Sequence, residues 1–498
     1  MSSPSLQDPS SEAARHGPAS VLLAPASPSR LSRFWSTLRE AIHGSQQNFT
    51  EGSLARAIFL LAVPMVLEMS MESIFAVADA LYVSRMPGDH VDDALATVGL
   101  TESLLTFVYA IGIGLAVATS AVVARRTGEQ KPDEAARFAF AGIVLGTLIA
   151  VVLGIAGSIF ADDLLRLMGA APGVIEHGTG YARIQLSCNF VILFLFLNNA
   201  AFRGAGDPSI AMRTLVLSNA INILLDPCLI YGLGPFPEMG ITGAGLATVI
   251  GRGTGVLYQL YWMFRGGRRL HLRREHIAFE PARMVHLIRL AIPSTFQNLV
   301  ATTSWVALIR IVSSFGTDAA AGYTLAIRVV IFAFLPSYGL SNATATLVGQ
   351  NLGARKPERA ERAVWITGFI NMLVLLLVTV IFVAIPEPIV RLFVRPGAEE
   401  GFVPYAVTCL RVISYGYVFY AWEMVMVQAF NGAGDTRTPL YLNLLCFWAF
   451  QVPLAWMLAH GLKMGPEGVF LAVAICYAVA AVLGILLFMR GKWKLKVV

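Results

Sequence analysis

Six acidic residues stand in stretches of this chain where acids are expensive. Glu68, Glu72, Asp79, Glu102, Asp226 and Glu423 each fall within or against an apolar run long enough to cross a bilayer, and Arg252, Arg289, Arg310, Arg328 and Arg411 do the same. A charge at a lipid-exposed helix centre costs roughly 2.5–3.5 kcal/mol, so such residues face a protein interior or a water-filled cavity. There they bind cargo or pair with one another. Arg289 lies close to a span end, where its side chain can snorkel to the interface. At 100° per residue, Glu68, Glu72 and Asp79 fall within an arc of about 40°, one acidic stripe on one helix. Asn219, Asn222 and Asp226 recur at i, i+3 and i+7 just before Pro227. A carboxylate with a neutral amide one turn earlier supplies the oxygen ligands that a small hard cation accepts. Hydrogen bonding between helices is the structural alternative for the asparagines, and arginine–carboxylate pairing is the alternative for the charges.

The elements that position these residues follow from composition. Of 498 residues, 56% are hydrophobic and only 14% charged, with a mean hydropathy of +0.66. An ordinary soluble domain carries about 25% charged residues, so lipid must be part of the solvent. Apolar runs recur at 56–82, 103–124, 138–161, 184–202, 214–231, 243–264, 286–314, 323–349, 364–385, 404–430, 438–459 and 468–489. In lipid every backbone group must be bonded internally, so these runs are expected as twelve helices in an all-α membrane protein.

The first 50 residues differ. They are rich in Ser, Pro and Ala, lack a continuous apolar segment, and read as a disordered cytoplasmic tail rather than a signal peptide. Leu31, Phe34, Trp35, Leu38 and Ile42 recur there at helical spacing beside Arg30, Arg33 and Arg39. They fit an interfacial amphipathic helix and a nascent helix without function equally well.

The loops set the orientation. Connections 125–137, 203–213, 265–285, 350–363 and 431–437, with the terminal 490–498, carry 21 Lys and Arg; the alternating set carries 6. The positive-inside rule then puts both termini and the 265–285 loop in the cytoplasm. The net charge of +6 is accounted for by topology, without nucleic acid.

The chain also repeats itself. GAGD occurs at 204–207 and 432–435, and Pro64 and Pro293 open the first and seventh spans. Lys131-Pro132 and Lys356-Pro357, each just after a glycine (Gly128, Gly353), follow the second and eighth spans, and Met239-Gly240 matches Met464-Gly465. Four matches in order, offset by 225 to 229, describe a six-helix unit used twice. An even repeat keeps its membrane orientation, so the halves relate by an axis along the membrane normal, an arrangement of transporters. The expected organisation is a tail at 1–50, one lobe at 51–264, a basic linker at 265–285, a second lobe at 286–490 and a basic tail at 491–498.

No enzyme motif competes with transport. No GxxxxGK[ST] or HExxH is present, and the five cysteines lie in apolar runs without CxxC spacing. Neither cofactor nor resident metal is expected. The chain resembles the multidrug and toxic compound extrusion (MATE) transporters over residues 54–490. The resemblance rests on Pro64 with Asp79 fifteen residues later, ARRTGEQ after the second span, both GAGD turns, and Asn222-x-x-x-Asp226-Pro227. It implies two six-helix lobes around a central cavity and export of amphipathic compounds in exchange for sodium ions or protons. It also implies a coupling-cation site at Asp79, Asn222 and Asp226, with Thr248 as a fourth contributor. Members of the NorM branch carry a glutamate eight residues after the proline of span seven, where this chain has Ala301, so the pattern is closer to the DinF-like branch.

The remaining intramembrane charges, Glu68, Glu72, Glu102, Arg310, Arg328, Arg411 and Glu423, are expected in the substrate cavity, the acids mainly on the first lobe and the arginines on the second. Partners are then membrane lipid and a small amphipathic substrate, with the protein a monomer in the inner membrane. The alternative function is a lipid-linked saccharide flippase of the same superfamily, which would need a strongly cationic cavity. A membrane-embedded acyltransferase would need a His, Asp or Ser constellation that is absent.

Overall fold

The computed structural model describes residues 30–84, 91–394 and 401–496. The expectations for residues 1–29 fall outside these. Every regular element among the described residues is helical. The first helices are α1 (Arg30–His43), α2 (Leu54–Ser84), α3 (Val91–Gly128) and α4 (Pro132–Leu167). They are followed by α5 (Pro172–Ser187), α6 (Asn189–Ala205), α7 (Pro208–Tyr231) and α8 (Gly240–Arg265). After a linker come α9 (Pro281–Ser313), α10 (Thr317–Gly353), α11 (Pro357–Ala384), the short α12 (Pro386–Arg391), α13 (Val403–Ser414) and α14 (Tyr417–Gly432). The last two are α15 (Arg437–Gly461), which passes through two π-helical stretches, and α16 (Pro466–Met489). Prolines at the first position of α4, α5, α7, α9, α11 and α16 give up an N–H that would be unbonded there anyway.

Nine helical segments among the described residues are long and apolar enough to cross a membrane, α5 with α6 counting as one. Helices α8 and α9 are comparably long but carry internal arginines, and α13 runs into α14 across Tyr415 and Gly416.

The internal repeat appears in the backbone. The break at Cys188 between α5 and α6 recurs 228 residues later, at Gly416. The second glycine of each GAGD adopts left-handed φ, +85° at Gly206 and +80° at Gly434, which reverses the chain into the next helix. Both motif aspartates then serve structure. Asp207 accepts from Ser209 Oγ (2.6 Å), and Asp435 accepts from Thr438 Oγ1 (2.7 Å) and pairs with Lys496 (3.0 Å).

The halves cross one another. Helix α2 packs on α10, where Leu61, Met65, Leu340 and Leu347 share one buried cluster. Helix α9 packs on α3, where Leu115 of α3, Phe138 of the neighbouring α4, and Met284 and Leu287 of α9 share one buried cluster. Small residues make both crossings close, as in membrane helix packing generally. A Cβ added at Gly114 of α3 would meet Ala291 O at 2.8 Å, and one at Gly339 of α10, 225 residues on, would meet Met65 O at 2.5 Å.

Residues 42–52 are held as a strap. Their backbone carbonyls accept from Arg213, Arg268 and Arg269 in the first half and its linker, and from Lys356 and Arg359 in the second. Phe49 is buried under the Arg269 guanidinium, 4.6 Å from the ring centroid. The described part of the expected tail is thus helix α1 followed by this strap, in which eight backbone carbonyls meet five cationic donors. On α1, Leu31, Phe34 and Trp35 stay exposed.

Candidate cation site and central cavity

Helices α2, α7 and α8 converge on the acidic residues. Small residues on α8 allow a close approach to α7: a Cβ at Gly251 would stand 2.7 Å from Ser218 O and 2.9 Å from Asn222 Cβ. That contact sets Thr248, one turn earlier on α8, against Asn222 of α7. The Asn222 amide satisfies its neighbours in one orientation. Nδ2 donates to Asp226 Oδ2 (3.0 Å), while Oδ1 accepts from Thr248 N (3.1 Å) and Thr248 Oγ1 (3.3 Å). Asp226 and Asn222 are fully buried, and Asp79 of α2 lies within electrostatic reach of Asp226. Pro227 removes the next backbone donor, so the α7 turn holding Asp226 is locally loosened. A buried carboxylate, an amide and a hydroxyl therefore share one spot, with the half-buried Asp79 carboxylate within electrostatic reach, a donor set suited to a small cation or a shared proton.

Beside this spot lies a cavity of about 690 Å³ between the halves. Its charged lining is Glu68, Glu72, Arg203 and Arg252, all from the first half. Glu68 is buried and accepts from Arg203 Nη1 (2.9 Å) and Asn199 Nδ2 (3.1 Å); Gln259 Nε2 in turn donates to Asn199 Oδ1 (2.5 Å). Glu72 stands 3.8 Å from Arg252, whose guanidinium also bonds Tyr109 and sits 5.1 Å from the Phe75 ring centroid. The second half contributes neutral side chains, among them Asn298, Trp305, Tyr338, Gln428 and Asn431. A smaller cavity of about 130 Å³ adjoins it, lined by Glu423, Tyr420, Tyr477 and Asn443.

At one end the cavity is sealed by the basic turns. A Cβ on Gly128 would stand 2.0 Å from Gln350 O, and one on Gly353 would stand 2.2 Å from Arg125 O, so α3 and α10 touch backbone to backbone there.

The structure thus brings Asn222, Asp226 and Thr248 into contact with Asp79 alongside, places Glu68 and Glu72 in the large cavity, and places Glu423 in the small one. Arg310, Arg328 and Arg411 differ from expectation: all three are exposed and line neither cavity. Their neighbours explain this, since Leu308 and Val312, Ala326 and Val330, and Leu410 and Ile413 are the buried faces of those turns. Glu102 is also exposed, and Arg328 lies within its electrostatic reach across the two halves. The cationic part of the wall is instead Arg203 and Arg252. Arg203 is invisible to loop counting because it sits at the end of α6 beside a GAGD turn, with its side chain reaching back to Glu68. Asp133, Glu275 and His276 lie close enough together on the linker surface to suggest an ion site. His276 Nδ1, however, accepts from Arg273 N (3.1 Å), which leaves the ring proton on Nε2 to face Asp133 at 3.2 Å.

The MatE family model matches this chain twice, over residues 64–228 and 293–457. The chain belongs to the MatE family. Each match covers one pass through the repeated helices, from the proline of α2 or α9 onward. Relatives align over nearly their whole length. "Probable multidrug resistance protein YoeA" of Bacillus subtilis is 25% identical, covering 90% of this chain and 96% of that protein. "Probable multidrug resistance protein NorM" of Thermotoga maritima is 25% identical over 89% of this chain and 94% of its own. A solved MOP-superfamily transporter from Pyrococcus furiosus, described as having a binding pocket of reverse polarity, superposes with a TM-score of 0.84 at 27% identity, covering 90% of this chain and 98% of that one. The MatE chain described here is accordingly a membrane transporter of the multidrug efflux type.

Proposed function

We propose that this MatE protein is a secondary antiporter that exports amphipathic compounds in exchange for sodium ions or protons. Twelve spans form two six-helix lobes, 51–264 and 286–490, joined by the 265–285 linker. Both termini face the cytoplasm, and the protein works as a monomer in the inner membrane without a cofactor. The coupling cation binds at Asp79, Asn222 and Asp226, with Thr248 completing the site. Ala301 supports the DinF-like branch over the NorM branch.

The observation that carries the reading is the buried Asp226–Asn222–Thr248 contact, with Asp79 alongside, one turn from the cavity wall. Two carboxylates within electrostatic reach, one of them fully buried, are hard to keep charged together without a counter-charge, so they take up a cation or a proton. Only a ligand that binds the two lobe conformations differently shifts the balance between them. The basic turns between α3 and α4 and between α10 and α11 meet at the sealed end, which on the expected topology is cytoplasmic, so the cavity faces outward in this state. A flippase for pyrophosphate-linked saccharides is disfavoured, because the cavity's charged lining is two acids and two arginines.

The test is dye efflux from vesicles under an imposed sodium or proton gradient, each alone. Asp79→Asn and Asp226→Asn should each abolish gradient-driven efflux at normal expression. Efflux at the wild-type rate in either variant refutes the assignment.

A further inference from the structure

Arg252 belongs to two places at once. One turn earlier on α8, Thr248 contacts Asn222 in the cation site, while Arg252 itself lines the large cavity. On α2 the acidic stripe runs from Glu72 to Asp79, two turns or about 10 Å along the axis. Phe75 lies between them on the same face, three residues after Glu72 and four before Asp79. The guanidinium stands over that ring, 5.1 Å from its centroid. It is 3.8 Å from Glu72 Oε2 and within electrostatic reach of Asp79. Tyr109 of α3 bonds it from the cavity side. The side chain is only 12% exposed and Glu72 25%, so water screens these contacts less than it would on the surface.

We propose that Arg252 is a positioning residue that carries the state of the cation site to the substrate cavity by sharing its charge between Asp79 and Glu72. The inference rests on the antiport reading above and names the internal link in it. When Asp79 is charged and empty it draws the guanidinium, and Glu72 is left free to attract a positively charged group on the substrate. When a cation occupies the site, Arg252 is repelled along the Phe75 ring toward Glu72 and cancels it. A cationic substrate then loses its counter-charge, and by reciprocity a bound substrate weakens the hold on the coupling cation. The cation–π contact gives the guanidinium a seat at intermediate positions, so the shift does not pass through an uncompensated state. Arginine suits this role because it stays charged throughout.

A double-mutant cycle tests the link without knowledge of the coupling ion. Binding of a cationic dye, ethidium, to the purified full chain is measured by fluorescence for wild type, Asp79→Asn, Arg252→Gln and the double variant. Asp79→Asn removes the pull on Arg252, so ethidium affinity should fall at least about fivefold, the lower end of ordinary coupling between sites. Arg252→Gln frees Glu72, so affinity should rise, and adding Asp79→Asn to it should change affinity less than about twofold. Arg252→Lys restores a movable charge and should recover part of the coupling, which a merely structural role would not do. Equal effects of Asp79→Asn with and without Arg252 overturn the inference. If that happens while Asp79→Asn still abolishes efflux, the cation site stands and only the link fails. If Asp79→Asn leaves efflux intact, the antiport reading fails whatever the cycle gives.

Discussion

The contact between α3 and α10 makes the sealed end sensitive to a single methyl group. A Cβ on Gly128 would meet Gln350 O at 2.0 Å and Gln350 C at 2.7 Å, where ordinary contact begins at 3.4 Å. The neighbour is backbone in the last turn of α10, so it cannot swing away as a side chain could. The two helix ends would have to part by about 1.4 Å at that point to restore an ordinary contact. Overpacking of this kind costs about 1–3 kcal/mol. The clash exists only while the ends are closed, so the whole cost falls on that state. Gly128→Ala should therefore shift the balance toward the state open at this end by about 5- to 150-fold. Gly353→Ala, whose Cβ would lie 2.2 Å from Arg125 O and 3.0 Å from Gly128 Cα, should act in the same direction. The two sites touch, so their combined effect should be smaller than the product of the singles.

A cysteine at Ala121, buried on α3 in the cavity wall, reports the opening. With the five native cysteines replaced, its labelling by an impermeant thiol reagent in inside-out vesicles should accelerate by the same factor in either glycine variant. Gly99→Ala is the matched control. It lies on α3, a Cβ there meets nothing within 4 Å, and replacing a helical glycine should leave labelling unchanged. Wild-type labelling rates in both Gly128→Ala and Gly353→Ala would mean that this crossing does not gate the cavity.

Glu68→Ala strands Arg203, whose side chain is only 14% exposed, and should lower stability by about 3–5 kcal/mol. Glu68→Gln keeps an acceptor and should melt between that variant and wild type in detergent; identical melting of all three would remove Glu68 from the structural core. Gly251→Leu should push α8 off Asn222 and abolish gradient-driven efflux, whereas Gly253→Leu, next to open space, should transport normally. Outside the membrane, burial raises the Glu129 carboxyl, but hydrogen bonds from Arg126 and Lys131 outweigh it and hold the group below its ordinary value. The folded group thus stays charged to lower pH than the unfolded one. The clasp is fully present above the ordinary carboxylate value and is lost as pH falls through the lowered one. Labelling of a cysteine at Gln130 should stay constant through mild acidity and rise only below the ordinary carboxylate range; a rise near neutral pH would contradict this.

What could be read from residues alone follows from what each residue type demands. Glycine and proline fix backbone conformation, so the GAGD turns and the Lys-Pro helix starts show as a repeat in the sequence itself. The polar face Asn219, Asn222 and Asp226 was legible because its spacing is the helix's own. The cavity's arginines were not. Arg310, Arg328 and Arg411 fall inside apolar runs, and a helix that is apolar nearly all round does not reveal which face its one charge takes. Arg203 has the opposite problem, being counted with a loop although its side chain points back to Glu68. The strap at 42–52 left no trace in side-chain pattern, because its acceptors are main-chain carbonyls. The seat of Arg252 on Phe75 needed two helices to be docked before it existed.

The repeat carries a further consequence for how the lobes divide their work. Pro64 and Pro293 start both matched stretches, and helices α2 and α9 run on from them without interruption. At the same offset, Glu68 corresponds to Gln297, Glu72 to Ala301 and Asp79 to Leu308. Helix α15, the counterpart of α7, carries no acidic residue at all. Gln297 lies in the small cavity's wall and Leu308 is fully buried in the largest apolar cluster, which lies entirely in the second half. Along α2 and α9 the same backbone thus hosts a charged network in one half, and a neutral cavity wall with apolar packing in the other. Apolar interiors resist deformation because close packing leaves few alternative arrangements. A network of ion pairs around a vacatable site has at least two, one with the cation and one without. On the antiport reading proposed above, this asymmetry puts the cation-dependent rearrangement in α2, α7 and α8 of the first half.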